Sequence, residues 1–211
     1  MVALTPRIEQ LRYAWLPVTD LAGATGFSRD LVGLELADQG DDLALLRSDE
    51  RGYTLALDAS GATAAPTLGL EVRTPAMLDA AAEALGARGL AAARLDAAAC
   101  ARRRVRDGLA FHDHSGNPID LVVRPLSRAR RPFPGRDAGV TDFAGAALRS
   151  LDPARDARLW CEALGAAVAD WVGDAVFLRL DDRHHRIALL PSERPGLLSL
   201  SYEVGGLDDV M

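Results

Sequence analysis

The sequence predicts an α+β protein of tandem βαβββ units that form two paired-unit domains, the second incomplete. Two observations carry that prediction: a self-similarity at constant offset, and short β-rich runs alternating with single amphipathic helices. Slid against itself by 132 residues, the chain places Asp20 on Asp152, Val32-Gly33 on Leu164-Gly165 and Leu46-Arg47 on Leu178-Arg179. The same offset places Asp49-Glu50-Arg51 on Asp181-Asp182-Arg183 and Leu55-Ala56-Leu57 on Ile187-Ala188-Leu189. Leu70-Glu71-Val72 then falls on Tyr202-Glu203-Val204. A gapless series of this kind reads as a duplication.

Each element has a local reason. Residues 11–18 (LRYAWLPV) are β-rich and run into Asp20, a good helix N-cap. Residues 22–31 form a short amphipathic helix closed by Gly33. Strands follow at 34–37, 43–47 and 53–57, completing one βαβββ unit. The second unit has a strand at 67–72, a helix at 77–85 stopped by Gly86 and Gly89, and strands at 105–113 and 118–123. The turn-forming His114-Ser115-Gly116-Asn117 joins the last two. Residues 125–140, with three Pro, two Gly, four Arg and no apolar period, read as an interdomain linker. The domains are therefore expected at 1–124 and 141–211. The third unit has a strand at 146–151, a helix at 153–164 with Pro153 in its first turn, and strands at 175–180 and 185–190. A fourth opens at 197–204 and stops. The offset would place the counterpart of Arg124 at 256, beyond Met211, so the second domain is expected to lack most of its last unit.

Composition narrows the function classes. The 211 residues include 24 basic and 30 acidic groups, for a net charge of −6, with 49% hydrophobic and 26% charged residues. That is ordinary for a globular protein, and an acidic total argues against a nucleic-acid partner. No apolar run approaches the roughly 20 residues of a membrane helix, and MVALTPRIEQ carries no secretory pattern. All basic residues are Arg, which fits a compositional bias of the coding genome. Cys100 and Cys161 are too few for a zinc cage or a disulfide framework, so a cytoplasmic location is expected.

The tandem βαβββ pattern resembles the vicinal oxygen chelate superfamily of glyoxalases, bleomycin-resistance proteins and extradiol dioxygenases. Residues 111–123 (FHDHSGNPIDLVV) look like that superfamily's closing hairpin. Asp182-Arg183-His184-His185-Arg186-Ile187-Ala188-Leu189 is more specific, together with the following GLLSLSYEV of 196–204 and Leu207-Asp208-Asp209-Val210. That stretch is similar to the catalytic domain of type I extradiol ring-cleavage dioxygenases. The resemblance implies Fe(II) or Mn(II) held by two His and one Glu, the facial set that leaves positions for a catecholate and O₂. The position of the first His reads Ala146, or Gly145 if aligned by the helix; that of the second reads Ser199. The Glu position falls in the part of the fourth unit that the chain does not contain. The resemblance therefore implies no iron or manganese site in this chain.

His185 matches the family histidine that works as an acid/base beside the metal, and a neutral imidazole suits that task near pH 7. If 185–190 is a strand, neighbours alternate, and only one of His184 and His185 faces the cavity. His185 is the catalytic candidate; His184, Ser199 and Tyr202 are the ligand-binding candidates. His112 and His114 share a metal-like spacing that turn polarity explains as well. Tyr13, Thr67 and Asp120 occupy the first-domain positions equivalent to a metal site, with structural roles expected. Trp15 reads as core rather than a stacking platform, Cys161 as a small buried hydrophobe, and Arg102-Arg103-Arg104 as a solvated charge run rather than a grip for an anionic ligand.

Three functions follow as expectations. The first is an extradiol-dioxygenase-like protein without the family's metal ligands, inactive or binding a small aromatic molecule. The second is an active ring-cleaving dioxygenase seen as an incomplete chain. The third is a binding protein of the bleomycin-resistance type. A last unit with only its first strand leaves an open edge, which predicts a homo-oligomer.

Overall fold

The computed structural model describes residues 6–128, 130–133 and 139–210. Residues 129 and 134–138 of the expected linker lie outside the described residues.

The first unit of the repeat forms as its caps and apolar runs dictate. Strand β1 (Ile8–Pro17) places Tyr13, Ala14 and Trp15 in the core. Helix α1 (Leu21–Asp30) starts where the Asp20 carboxylate accepts the Gly23 amide at 2.9 Å. An antiparallel meander follows: β2 (Glu35–Gln39), β3 (Leu43–Arg47) and β4 (Leu55–Asp58), with β4 returning parallel to β1.

In the second unit β5 (Thr67–Val72) leads into α2 (Pro75–Gly86), then β6 (Ala92–Arg94), α3 (Ala97–Arg103), β7 (Asp107–His112) and β8 (Pro118–Val123). β8 pairs parallel with β5 and antiparallel with β7. β6 and α3 were not expected. β6 has three residues and no alternation to detect, and the seven-residue α3 depends on its Asp96 cap, which accepts the Ala99 amide at 2.7 Å.

The third unit comprises β9 (Val140–Ser150), α4 (Pro153–Leu164), β10 (Ala167–Val172), β11 (Ala175–Arg179) and β12 (Ile187–Pro191). Asp152 caps α4 through the Arg155 amide at 3.0 Å, repeating the role of Asp20. Gly165 ends α4 at φ 73°, and a Cβ there would stand 2.5 Å from the Pro6 carbonyl, so only glycine fits. β13 (Gly196–Val204) follows, then a short 3₁₀ turn at Leu207–Val210. The expected strand at 185–190 begins only at Ile187; His184 and His185 lie in the loop before it.

The registers of the first and third units differ by the same 132 residues. β1 pairs β4 through Ala14↔Leu55, and β9 pairs β12 through Ala146↔Ile187. β2 and β3 shift register between Leu36 and Asp38; β10 and β11 shift between Val168 and Asp170. An extra residue at the same place in both units re-aims the side chains that follow it.

The chain divides into two compact units. One comprises Met1–Leu11, Thr67–Pro125 and Gly145–Ser199; the other comprises Arg12–Pro66, Leu126–Ala144 and Leu200–Met211. In the first, the order runs β5-β8-β7-β6 and β10-β11-β12-β9. A buried polar knot sits there: Ser115 and Ser150 both donate to the Asp156 carboxylate, and Leu151 donates its amide to Ser115 at 2.8 Å. In the second, β2-β3-β4-β1 carries a core of Tyr13 stacked on Tyr53 at 5.2 Å with Trp15 edge-on to both. Among the described residues no helix is long and apolar enough to cross a membrane.

Candidate functional site

The loop between β11 and β12 is built before it carries any chemistry. Asp181 accepts the Arg183 amide at 2.9 Å, and both its oxygens accept Arg186 Nε, at 3.1 and 2.8 Å. Arg186 is buried, donates its own amide to Leu178 and accepts that of Ala146. The foot of the loop is thus pinned at both ends, which lifts His184 and His185 into solvent. His184 Nδ1 lies 3.1 Å from His185 Nε2, and His185 Nε2 lies 2.6 Å from Asp170 Oδ2. His184 Nδ1 completes the triangle at 3.3 Å from the same carboxylate oxygen. The His185 ring packs on Phe177, centroids 4.7 Å apart, and Phe177 is the cross-strand partner of Asp170. Alternation therefore does not separate the two imidazoles, because a loop has no pleat to enforce it. Asp170 was missed by sequence reading: its only signal is the repeat position of Asp38, and nothing in the sequence marks a bulge.

Ser199 and Tyr202 do not join this cluster. They lie three residues apart on β13, an odd spacing that directs them to opposite faces. Ser199 is exposed, whereas Tyr202 packs on Phe143 at 5.6 Å. The Tyr202 hydroxyl is buried without a hydrogen-bond partner among the described residues. Burial, with the nearby Asp49 charge, pushes its pKa well above the usual phenol range.

The remaining candidates have structural settings. Tyr13 and Thr67 are buried, and buried Asp120 pairs with Arg103 at 2.7 Å; the Arg102-Arg103-Arg104 run expected to be solvated is half-buried, because it lies against the carboxylate that Arg103 neutralises. Trp15 is core and donates Nε1 to Asp58 at 2.8 Å. Cys161 is half-buried and Cys100 buried; both are free thiols. His112 is exposed and His114 half-buried, its imidazole pKa lowered by burial and by Arg155.

A second polar centre also escaped sequence reading. Arg47 is fully buried and donates to Glu35 at 2.8 Å and to the Arg130 carbonyl at 2.9 Å. Arg130 and the Phe133 amide both reach Glu35 at 2.5 Å. Burial pushes the Glu35 carboxyl up, but the Phe133 amide and the two guanidiniums outweigh it and hold it below the ordinary carboxylate range. A cavity of about 610 Å³ opens beside this centre, with Ser48, Asp49, Phe133 and Thr141 in its wall. The described linker residues are thus partners of β2 and β3, since a buried Arg and Glu need hydrogen bonds the strands do not supply.

No family model matches the sequence. Over 198 residues, however, it is 30% identical to a biphenyl-2,3-diol 1,2-dioxygenase from Pseudomonas sp. (strain KKS102), covering 86% of this chain and 67% of that enzyme. The chain belongs to the extradiol dioxygenase family of the vicinal oxygen chelate superfamily. Among solved structures, a catechol 2,3-dioxygenase superposes with a TM-score of 0.83 at 26% identity, over 97% of this chain and 74% of that one. A Mn(II)-bound glyoxalase from Novosphingobium aromaticivorans shares the fold, with a TM-score of 0.82 at 22% identity over 96% of this chain and 68% of that one. The βαβββ architecture of this extradiol dioxygenase relative is therefore that of its superfamily.

Proposed function

We propose that this extradiol-dioxygenase-like protein lacks its family's metal-ligand set and binds a small aromatic molecule without cleaving it. One observation carries the reading: the donor chemistry at the positions where the family resemblance puts the ligands. Ala146 offers a methyl group and is only 5% exposed on β9. Gly145 has no room for a side chain, because a Cβ there would meet the Arg186 carbonyl oxygen at 2.9 Å. Ser199 offers a neutral hydroxyl, a weak donor to a divalent ion. These residues do not fit iron or manganese, and no step is assigned to either.

His185 is the residue we assign to proton handling. With Nε2–H donated to Asp170, Nδ1 is left as the base for a phenolic proton. His184, Ser199 and Tyr202 are assigned to ligand contact as separate groups. The common registers support the repeat of the first unit in the third; on that repeat we assign the paired-unit domains 1–124 and 141–211, and we assign the protein to the cytoplasm as a homo-oligomer.

The test combines ring cleavage with binding. After anaerobic incubation with Fe(II) or Mn(II), catechol and biphenyl-2,3-diol are expected to give no yellow ring-fission product. Metal-free protein is expected to bind members of an aromatic panel saturably. A yellow product overturns the proposal in favour of an active dioxygenase, and absence of aromatic binding overturns the ligand assignment.

A further inference from the structure

The Asp170–His184–His185 triangle brings two imidazole nitrogens and a carboxylate oxygen to one point. Two donors bound at about 2.1 Å to one ion stand about 3.0 Å apart at octahedral angles and about 3.4 Å at tetrahedral ones. Two of the three donor–donor distances, 3.1 and 3.3 Å, fall in that range; the third, 2.6 Å between His185 Nε2 and Asp170, is a hydrogen-bond contact that has to open slightly to admit an ion, and each side chain contributes one atom. Among the described residues this is also the group of three or more His, Cys, Asp or Glu whose ligand atoms converge within 4.8 Å.

We propose that Asp170, His184 and His185 form a binding site for a late first-row divalent cation, with Zn²⁺ as the ion they fit. Two borderline imidazoles and one hard carboxylate are a set that zinc takes and that Fe(II) takes as well, whereas magnesium and calcium favour oxygen alone; zinc, which has no redox chemistry, is the ion by which the site is probed. The site is built. The register shift between Val168 and Asp170 aims the carboxylate at the loop, Phe177 backs the His185 ring, and the Asp181–Arg186 pairing fixes the loop's foot. Both imidazoles face solvent, with side-chain exposures of 68% and 48%, so water can complete the coordination shell.

The equivalent loop of the first unit shows what the third has changed. Asp49 makes the same turn, accepting the Arg51 amide at 2.9 Å. There the repeat counterparts of His184 and His185 are Gly52 and Tyr53. Gly52 lies against the Leu126 carbonyl, and Tyr53 is buried on Tyr13. The same loop frame thus serves packing in one unit and presents two imidazoles in the other, where Asp170 of β10 supplies the third donor. None of these donors stands at a position that the family resemblance reserves for iron or manganese ligands; the site does share His184 and His185 with the proposed aromatic binding, so zinc is titrated without any aromatic ligand and the two readings fail separately.

Calorimetric titration of the full chain, stripped with chelator, by zinc chloride at pH 7.5 tests the site. One ion per chain is expected to bind, with Asp170→Asn and His184→Ala each weakening it by about 30-fold or more. Because all three side chains are solvent-accessible, the zinc-free variants should keep the wild-type circular dichroism and melting midpoint. His114→Ala should leave zinc binding unchanged. No saturable binding, wild-type affinity in His184→Ala, or loss of binding in His114→Ala would each overturn the proposal.

Discussion

Gly145 and Arg186 are in direct backbone contact: a Cβ at 145 would stand 2.9 Å from the Arg186 carbonyl oxygen, which accepts the Ala146 amide at 3.0 Å. β9 and β12 approach here as closely as a glycine permits, and the pinned end of the His184-His185 loop depends on it. Gly145→Ala should therefore lower stability by about 1–3 kcal/mol, because the neighbour that must yield is backbone. Urea denaturation measures it; an unchanged midpoint would mean that the contact relaxes freely.

Arg47 sits in the core with Glu35 as its charge partner. Removing one member of a buried pair leaves the other uncompensated, so Arg47→Ala should cost about 3–5 kcal/mol. Glu35, whose pKa is held down, contributes stability that is present above its unfolded value of 4.5 and lost as pH falls below it. Chemical denaturation of wild type and variant across pH 3–7 reads both effects, and a loss below about 1 kcal/mol at pH 7 would refute the pairing.

Asp113 titrates in the opposite sense. Burial, with the adjacent Asp156, pushes its carboxyl up to about 6 from 3.8, although it accepts from the Asn117 amide at 2.8 Å and from its side chain at 2.9 Å. The folded state binds the proton more tightly, so stability from this group is full below pH 4 and is lost as pH rises through 6. The loss is about 3 kcal/mol, two pKa units and a little more. The stability of Asp113→Asn relative to wild type should rise by that order between pH 4 and 7.5. A pH-independent difference would exclude the shift.

The Tyr202 hydroxyl is buried and unpartnered among the described residues, so Tyr202→Phe should keep the Phe143 contact and raise stability by about 1 kcal/mol. If the hydroxyl is the group an aromatic ligand engages, the same variant should bind that ligand more weakly. A variant that is less stable and binds normally contradicts both.

β10 and β13 stand at the two ends of their sheet order, and β10 exposes Trp171 and Val172. Edges of that kind pair with other chains. Light scattering at micromolar concentration should give about twice the 22.4 kDa protomer mass, and a monomer would count against the assembly.

Much of the fold was legible in the chain. Asp20 and Asp152 announce α1 and α4 because a cap is a local event, settled within three residues. The duplication was legible for a related reason: the pairings Ala14↔Leu55 and Ala146↔Ile187 are imposed by apolar runs that recur at one spacing. β6 and β10 were missed because neither has a clean apolar alternation; they are strands because β7 and β11 offer them hydrogen bonds.

The sequence by itself determined the βαβββ order, the caps and the identity of His184 and His185, all of which depend on neighbours along the chain. Only the tertiary structure decided that both imidazoles converge on Asp170, that Arg47 is buried against Glu35, and that Gly145 admits no side chain. Each of these depends on which distant strands pair and where a register shifts. A one-residue slip at the bulge before Asp170 would turn its carboxylate to the other face of the sheet.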